Sequence, residues 1–120
     1  GTGHGVGYFL NVHEGPIGIS KKNKLNFKEG MIISNEPGYY ETGKFGIRIE
    51  NLVYVKKNKN NYLFKNLTMA PIDKSLIFKN LLKKNELNWL NNYHKTVYLN
   101  LKKFMNKSEL SDLKQACSNI

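Results

Sequence analysis

The chain has 120 residues, 40% of them hydrophobic and 12% aromatic, with 19 Lys plus Arg against 9 Asp plus Glu, one Cys and a formal charge of +10. That length and apolar content suit one small domain or a piece of a larger one and exclude a disordered chain. No apolar run reaches the roughly 18 residues of a spanning helix, no secretory signal pattern is present, and a lone Cys117 allows neither an internal disulfide nor a Cys-based zinc cluster, which points to a reducing, cytoplasmic setting. Arg48 is the sole arginine, so the positive charge is lysine, clustered at Lys21-Lys22-Asn23-Lys24, Lys56-Lys57-Asn58-Lys59, Lys83-Lys84 and Lys102-Lys103. Without arginine and interleaved aromatics these clusters read as a solvated face rather than a nucleic-acid surface.

In chain order, the first part, up to about residue 70, has the glycine, β-branched and aromatic composition of strands joined by loops, and the remainder reads as helix. Tyr8 to Val12 is predicted as a short extended segment, followed by a turn at Gly15-Pro16. Met31 to Glu36 is predicted as a strand stopped by Pro37-Gly38, because proline has no N–H for a ladder and glycine permits the turn. Tyr39 and Tyr40 then lead through Glu41-Thr42-Gly43-Lys44 into one long strand, Phe45 to Val55. Alternation there puts Ile47, Ile49, Asn51 and Val53 on one face, and Arg48, Glu50 and Leu52 on the other. Lys56 to Asn61 reads as a turn or loop, and Tyr62 to Met69 as a further strand. Leu87, Leu90, Tyr93 or His94, Val97, Leu101 and Phe104 recur at three- and four-residue steps, predicting an amphipathic helix from about Glu86 to Met105. Shorter helices are expected over Ser75 to Leu82 and Glu109 to Ala116.

Four polar residues emerge from apolar or glycine-rich surroundings: His4, His13, Glu36 and Glu50. Two imidazoles and two carboxylates are ligand types preferred by Zn, Mn, Co or Fe. Their spacing matches no contiguous metal motif, so the residues alone leave other readings open. His4 and His13 fit loop or surface histidines, Glu36 a turn carboxylate, and Glu50 a structural ion pair with Arg48. His94 reads as a core or interface histidine, and Cys117 has no base partner that would make it a nucleophile.

Three blocks carry a resemblance: Gly1-Thr2-Gly3-His4-Gly5-Val6-Gly7-Tyr8 through His13-Glu14-Gly15-Pro16, then Asn35-Glu36-Pro37-Gly38-Tyr39-Tyr40, then Phe45-Gly46-Ile47-Arg48-Ile49-Glu50-Asn51. In order and separation they resemble aminopeptidase P (Xaa-Pro aminopeptidase), a metallopeptidase family with the pita-bread fold. The stretch from Leu67 to Ile72 and the tail Trp89 to His94 resemble the C-terminal extension of its longer members. The resemblance implies an α+β fold, the C-terminal half of a pita-bread catalytic domain over residues 1–70 and a helical extension over 71–120. It implies removal of the N-terminal residue from peptides with proline second, through a hydroxide bridging two divalent ions, Mn first with Zn or Co as alternatives. His4, Glu36 and Glu50 match metal ligands, with Glu50 bridging and Glu36 also serving catalysis as the proton acceptor. His13 matches a catalytic histidine that contacts substrate, while Tyr40 and Arg48 match residues that orient the ligands, and Val12, His13 and Arg48 line the substrate pocket.

The same resemblance calls for two aspartates upstream of the His4 block, whereas the aspartates here are Asp73 and Asp112. With Gly1 in place of an initiator Met, the expectation is a C-terminal portion that is inactive alone and whose partners are its own missing N-terminal half, an Xaa-Pro peptide and, at full length, a second copy in a homodimer. Neither membrane nor nucleic acid is expected as a partner. The alternatives are a prolidase or methionine aminopeptidase of the same fold, a non-catalytic basic binding module, and a tail whose Trp89 to Phe104 helix packs on a partner subunit.

Overall fold

The computed structural model describes residues 1–9 and 11–120, and the chain divides into two compact units, Gly1–Thr68 and Met69–Ile120. In the first unit, β1 (Ile32–Asn35), β4 (Asn51–Asn58) and β5 (Asn61–Asn66) form an antiparallel sheet in the order β1-β4-β5. A separate hairpin pairs β2 (Gly38–Glu41) with β3 (Phe45–Arg48).

Ile33, Val53 and Val55 are the buried apolar centre of the sheet, and Ile17, Ile19, Phe27 and Met31 pack over them. Burial alternates along β4, with Asn51, Val53 and Val55 inside, as period-two geometry requires of a sheet covered on one face. The glycine-rich start adds a ribbon to this sheet. Ser34 N–H donates to the His4 carbonyl at 2.9 Å and Glu36 N–H to Thr2 at 2.8 Å on one side, while Ile19 N–H donates to Gly3 at 2.8 Å and Gly5 N–H to Ile17 at 2.9 Å on the other. Gly3 is required by this close approach: a Cβ there would fall on the Ser34 carbonyl oxygen.

Three expectations for this unit are corrected. The long strand from Phe45 to Val55 is broken at Ile49-Glu50, where the chain leaves the hairpin and enters the sheet. The lysine-rich stretch read as a loop from Lys56 to Asn61 is mostly strand. β4 runs to Asn58, and β5 begins at Asn61 after a two-residue turn in which Lys59 takes φ 52°. Solvated lysines suit an exposed hairpin end, so charge did not mean loop. The segment Tyr8 to Val12 is not extended in its described residues: Gly7 N–H donates to the Asn11 carbonyl at 2.7 Å, closing a turn, and Leu10 lies outside the described residues.

The second unit is built on α1 (Lys84–Leu101) and α2 (Lys107–Ala116). Leu90, Tyr93, His94 and Val97 are buried, the i, i+3, i+4, i+7 stripe expected of an amphipathic helix. Tyr93 and Val97 join Leu113 of α2 and Cys117 in a small core, with Ile72, Leu101 and Met105 around it. Asn106 caps α2, accepting from Glu109 N–H at 3.0 Å while the Glu109 carboxylate accepts from Asn106 N–H at 2.9 Å. α1 itself ends at Leu101, before the expected Met105. The chain tightens into a 3-10 turn over Lys102–Phe104 before the new helix starts, which leaves Phe104 71% exposed rather than on the apolar stripe. The helix expected over Ser75 to Leu82 is reduced to a 3-10 turn at Lys79–Leu81. Among the described residues no helix is long and apolar enough to cross a membrane.

Candidate metal centre

The β1–β4 ladder ends at the pair Asn35↔Asn51, so the next residues outward on the two segments are Glu36 and Glu50. Antiparallel pairing thereby brings together two carboxylates fourteen positions apart in the sequence. His4 reaches the same place from the glycine ribbon, because its carbonyl is bonded to Ser34 N–H, two residues before Glu36. Its Nε2 lies 3.1 Å from Glu36 Oε1, with both side chains mostly buried.

The other ring nitrogen decides the chemistry. His4 Nδ1 is 2.8 Å from the Gly5 carbonyl oxygen, an acceptor only, so Nδ1 carries a proton. In the neutral ring Nε2 is then a bare lone pair aimed at a carboxylate oxygen. Two acceptors at that distance need a proton or a metal cation to bind them, and an imidazole whose far N–H is held by a carbonyl is the usual arrangement of a metal-ligating histidine.

Arg48 occupies the space between the carboxylates. Its Nε is 3.1 Å from Glu50 Oε2 and 3.8 Å from Glu36 Oε2, and Nη1 donates to the Tyr40 hydroxyl at 3.4 Å. The guanidinium is pushed further toward its charged form, first by the Tyr40 hydroxyl and then by Glu50. Tyr40 reaches Arg48 by lying across the hairpin beside Gly46, its cross-strand partner, where a Cβ would stand 2.6 Å from the Tyr40 ring.

The structure thus brings His4, Glu36, Arg48, Glu50 and Tyr40 into one chain of contacts. His13 joins it by its ring, 4.2 Å from that of His4 and tilted 42°. Val12 stands apart, with no described contact to the set, and is 64% exposed. Among the described residues no group of three or more His, Cys, Asp or Glu side chains is gathered tightly enough to hold a metal ion. His4 and Glu36 fit a cation between them, while Glu50 is held by Arg48. Sequence reasoning missed Ser34, whose Oγ donates to Glu36 at 2.9 Å. The available signal was its place two residues before Glu36 in a strand, on the same face. His94 lies in the other unit, fully buried, with Nε2 accepting Ile72 N–H at 3.1 Å, as a core histidine should. Burial pushes the Cys117 thiol up, away from nucleophilic chemistry.

Residues 1–57 match the model of metallopeptidase family M24, and residues 60–120 match the C-terminal region of peptidase M24. The chain belongs to metallopeptidase family M24. Its relatives there are proteins named Xaa-Pro aminopeptidase P: the probable one of Botryotinia fuckeliana is 48% identical over 92% of this chain, and that of Laccaria bicolor 56% identical over 78%. The chain spans 19% and 16% of those two relatives. The fold is that of the matching part of a crystal structure of X-prolyl aminopeptidase from Caenorhabditis elegans, described as a cytosolic enzyme with a di-nuclear active site. The TM-score is 0.87 at 41% identity, covering 100% of this chain and 21% of that one. The α+β, pita-bread assignment implied by the resemblance therefore stands.

Proposed function

We propose that this chain supplies one histidine and two glutamates, His4, Glu36 and Glu50, to the dinuclear centre of a peptidase that removes the N-terminal residue from peptides with proline in second position. The observation that carries the reading is the approach of His4 Nε2 to Glu36 Oε1 at 3.1 Å, with Nδ1 committed to Gly5. When bound, two divalent ions, Mn first with Zn or Co as alternatives, would supply Lewis acidity that polarises the scissile carbonyl and makes water nucleophilic at neutral pH.

The remaining work falls to the chain's own groups. Glu36 accepts the proton of the attacking water and delivers it to the prolyl nitrogen, which departs as a secondary amine. His13, exposed beside the His4 ring, hydrogen-bonds the developing oxyanion and contacts the substrate. Arg48, tied to Tyr40, orients Glu50 and Glu36 and, with Val12 and His13, lines the pocket for the proline ring. A prolyl nitrogen in a peptide bond has no N–H, so the pocket needs shape and no acceptor there.

The other partners are the remainder of a longer chain that brings two further aspartates, and a second copy of that longer chain in a homodimer. The setting is cytosolic. The test is Mn-dependent release of the first residue from an Xaa-Pro-Yaa tripeptide by a protein carrying this chain at the length of its relatives, beside the 120-residue chain alone. Activity is expected in the former, falling at least about 100-fold in Glu36→Gln, and little or none in the latter, which offers three of the five donors. Full activity in Glu36→Gln overturns the assignment, and preference for the Xaa-Pro dipeptide moves it to a prolidase.

A further inference from the structure

Ser34 is 1% exposed within β1, and its hydroxyl takes part in no step of the hydrolysis. Its Oγ accepts the backbone N–H of His4 at 3.0 Å. The same atom is 2.9 Å from Glu36 Oε1 and 3.5 Å from the His4 carbonyl oxygen. One hydroxyl has one proton, and the shorter contact to a charged acceptor takes it. The His4 carbonyl is in any case satisfied by Ser34 N–H at 2.9 Å.

We propose that Ser34 is a positioning residue for the metal centre, clamping the His4 backbone to the Glu36 carboxylate so that imidazole and carboxylate meet in one orientation. The proposal rests on the metallopeptidase reading of the site. A glutamate side chain has three rotatable bonds, and Glu36 has a competing cation in Arg48 on its Oε2 side. The Ser34 hydroxyl pins Oε1 toward His4, leaving Oε2 on the side of Arg48. The geometry is available only because serine at i and glutamate at i+2 share a strand face and because Gly3 lets the ribbon press against the Ser34 backbone. Partners one step behind a ligand commonly govern cation affinity by 10- to 100-fold (order of magnitude).

The test uses the 120-residue chain titrated with Co2+ and followed by visible absorption, with NMR contacts between the His4 ring and the Glu36 side chain measured without metal. Ser34→Ala is expected to weaken Co2+ binding about 10-fold or more and to lose the His4–Glu36 contact, while Ser34→Thr, which keeps the hydroxyl, preserves both. Equal Co2+ affinity in wild type and a folded Ser34→Ala overturns the proposal. If the wild-type 120-residue chain takes up no Co2+, the titration moves to the protein at the length of its relatives, where no uptake sinks the metal reading, and the NMR contact decides Ser34: its survival in Ser34→Ala overturns the clamp, its loss there with rescue by Ser34→Thr upholds it. Should Ser34→Ala not fold, Ser34→Cys, which fills the space with a weak donor, replaces it in both measurements.

Discussion

At the scale of single residues, the site is a set of short, polar commitments. His4 gives one nitrogen to Gly5 and turns the other to Glu36, and Arg48 divides its donors between Glu50 and Tyr40. Tyr40 can do this only while its ring lies flat by Gly46. Gly46→Ala is therefore expected to lift the ring and release the Arg48 guanidinium. The loss shows as a changed Arg48 Nε–H resonance in the chain, and as a fall of about 10-fold in hydrolysis by the protein at its relatives' length. An unchanged resonance would show that the glycine serves the backbone alone. Glu36 was legible as a candidate at the end of a predicted strand, and Glu50 as a carboxylate in a mostly apolar one. Their meeting was not, since it depends on where the chain leaves the hairpin at Ile49-Glu50.

At the scale of elements, α1 shows how periodicity and burial agree. The stripe Leu90, Tyr93, His94, Val97 is buried as its spacing requires, and the one polar member is accommodated by a specific bond. Because Ile72 N–H donates to Nε2, His94 must be neutral with its proton on Nδ1, which is buried without a described partner. Burial, followed by the charge of Lys74, lowers its pKa below the ordinary 6.5. The unfolded state thus binds the proton more readily than the folded one. Stability is full above 6.5 and is lost as pH falls below it toward the folded value. The expected observation is a lower thermal midpoint of the second unit at pH about 5 than at about 7.5, read from Trp89, the sole tryptophan. His94→Gln, which can still accept from Ile72, should flatten this dependence. His94→Leu should cost about 1–3 kcal/mol at every pH by stranding that N–H. The elements that sequence reasoning missed were short or charged. The β4–β5 hairpin end carries lysines because it is solvated, and Ser75 to Leu82 lacks a buried stripe to hold a helix together.

At the scale of the whole molecule, little apolar surface is enclosed relative to what is displayed. The first unit buries Ile33, Val53 and Val55 but leaves Tyr8, Phe9, Tyr39, Tyr40, Phe45, Ile47 and Ile49 exposed. In the second, Leu76, Phe78, Leu81 and Phe104 are exposed. Surfaces of that kind associate unless charge opposes them, and the chain carries +10. The expected behaviour is a dispersed chain at low ionic strength that self-associates as salt is raised from about 0.01 M to about 1 M, where the screening length drops from about 30 Å to about 3 Å. Sedimentation velocity across that range measures it. A monomer at every salt concentration would overturn the expectation.

The sequence by itself determined the family, because glycines, prolines and ligand-type side chains in a set order record local demands of turn and chemistry that need no tertiary context. It also determined the strand of Glu36, the buried stripe of α1 and the set from which donors are drawn. Only the tertiary structure decided which of those donors touch. Contact between His4 and Glu36 follows from a ribbon pressed against β1 at Gly3, and the convergence of Glu36 and Glu50 on Arg48 from the antiparallel end of β1 and β4. Hydrogen-bond register and close backbone approach are relations between distant segments, and no window of sequence contains both partners.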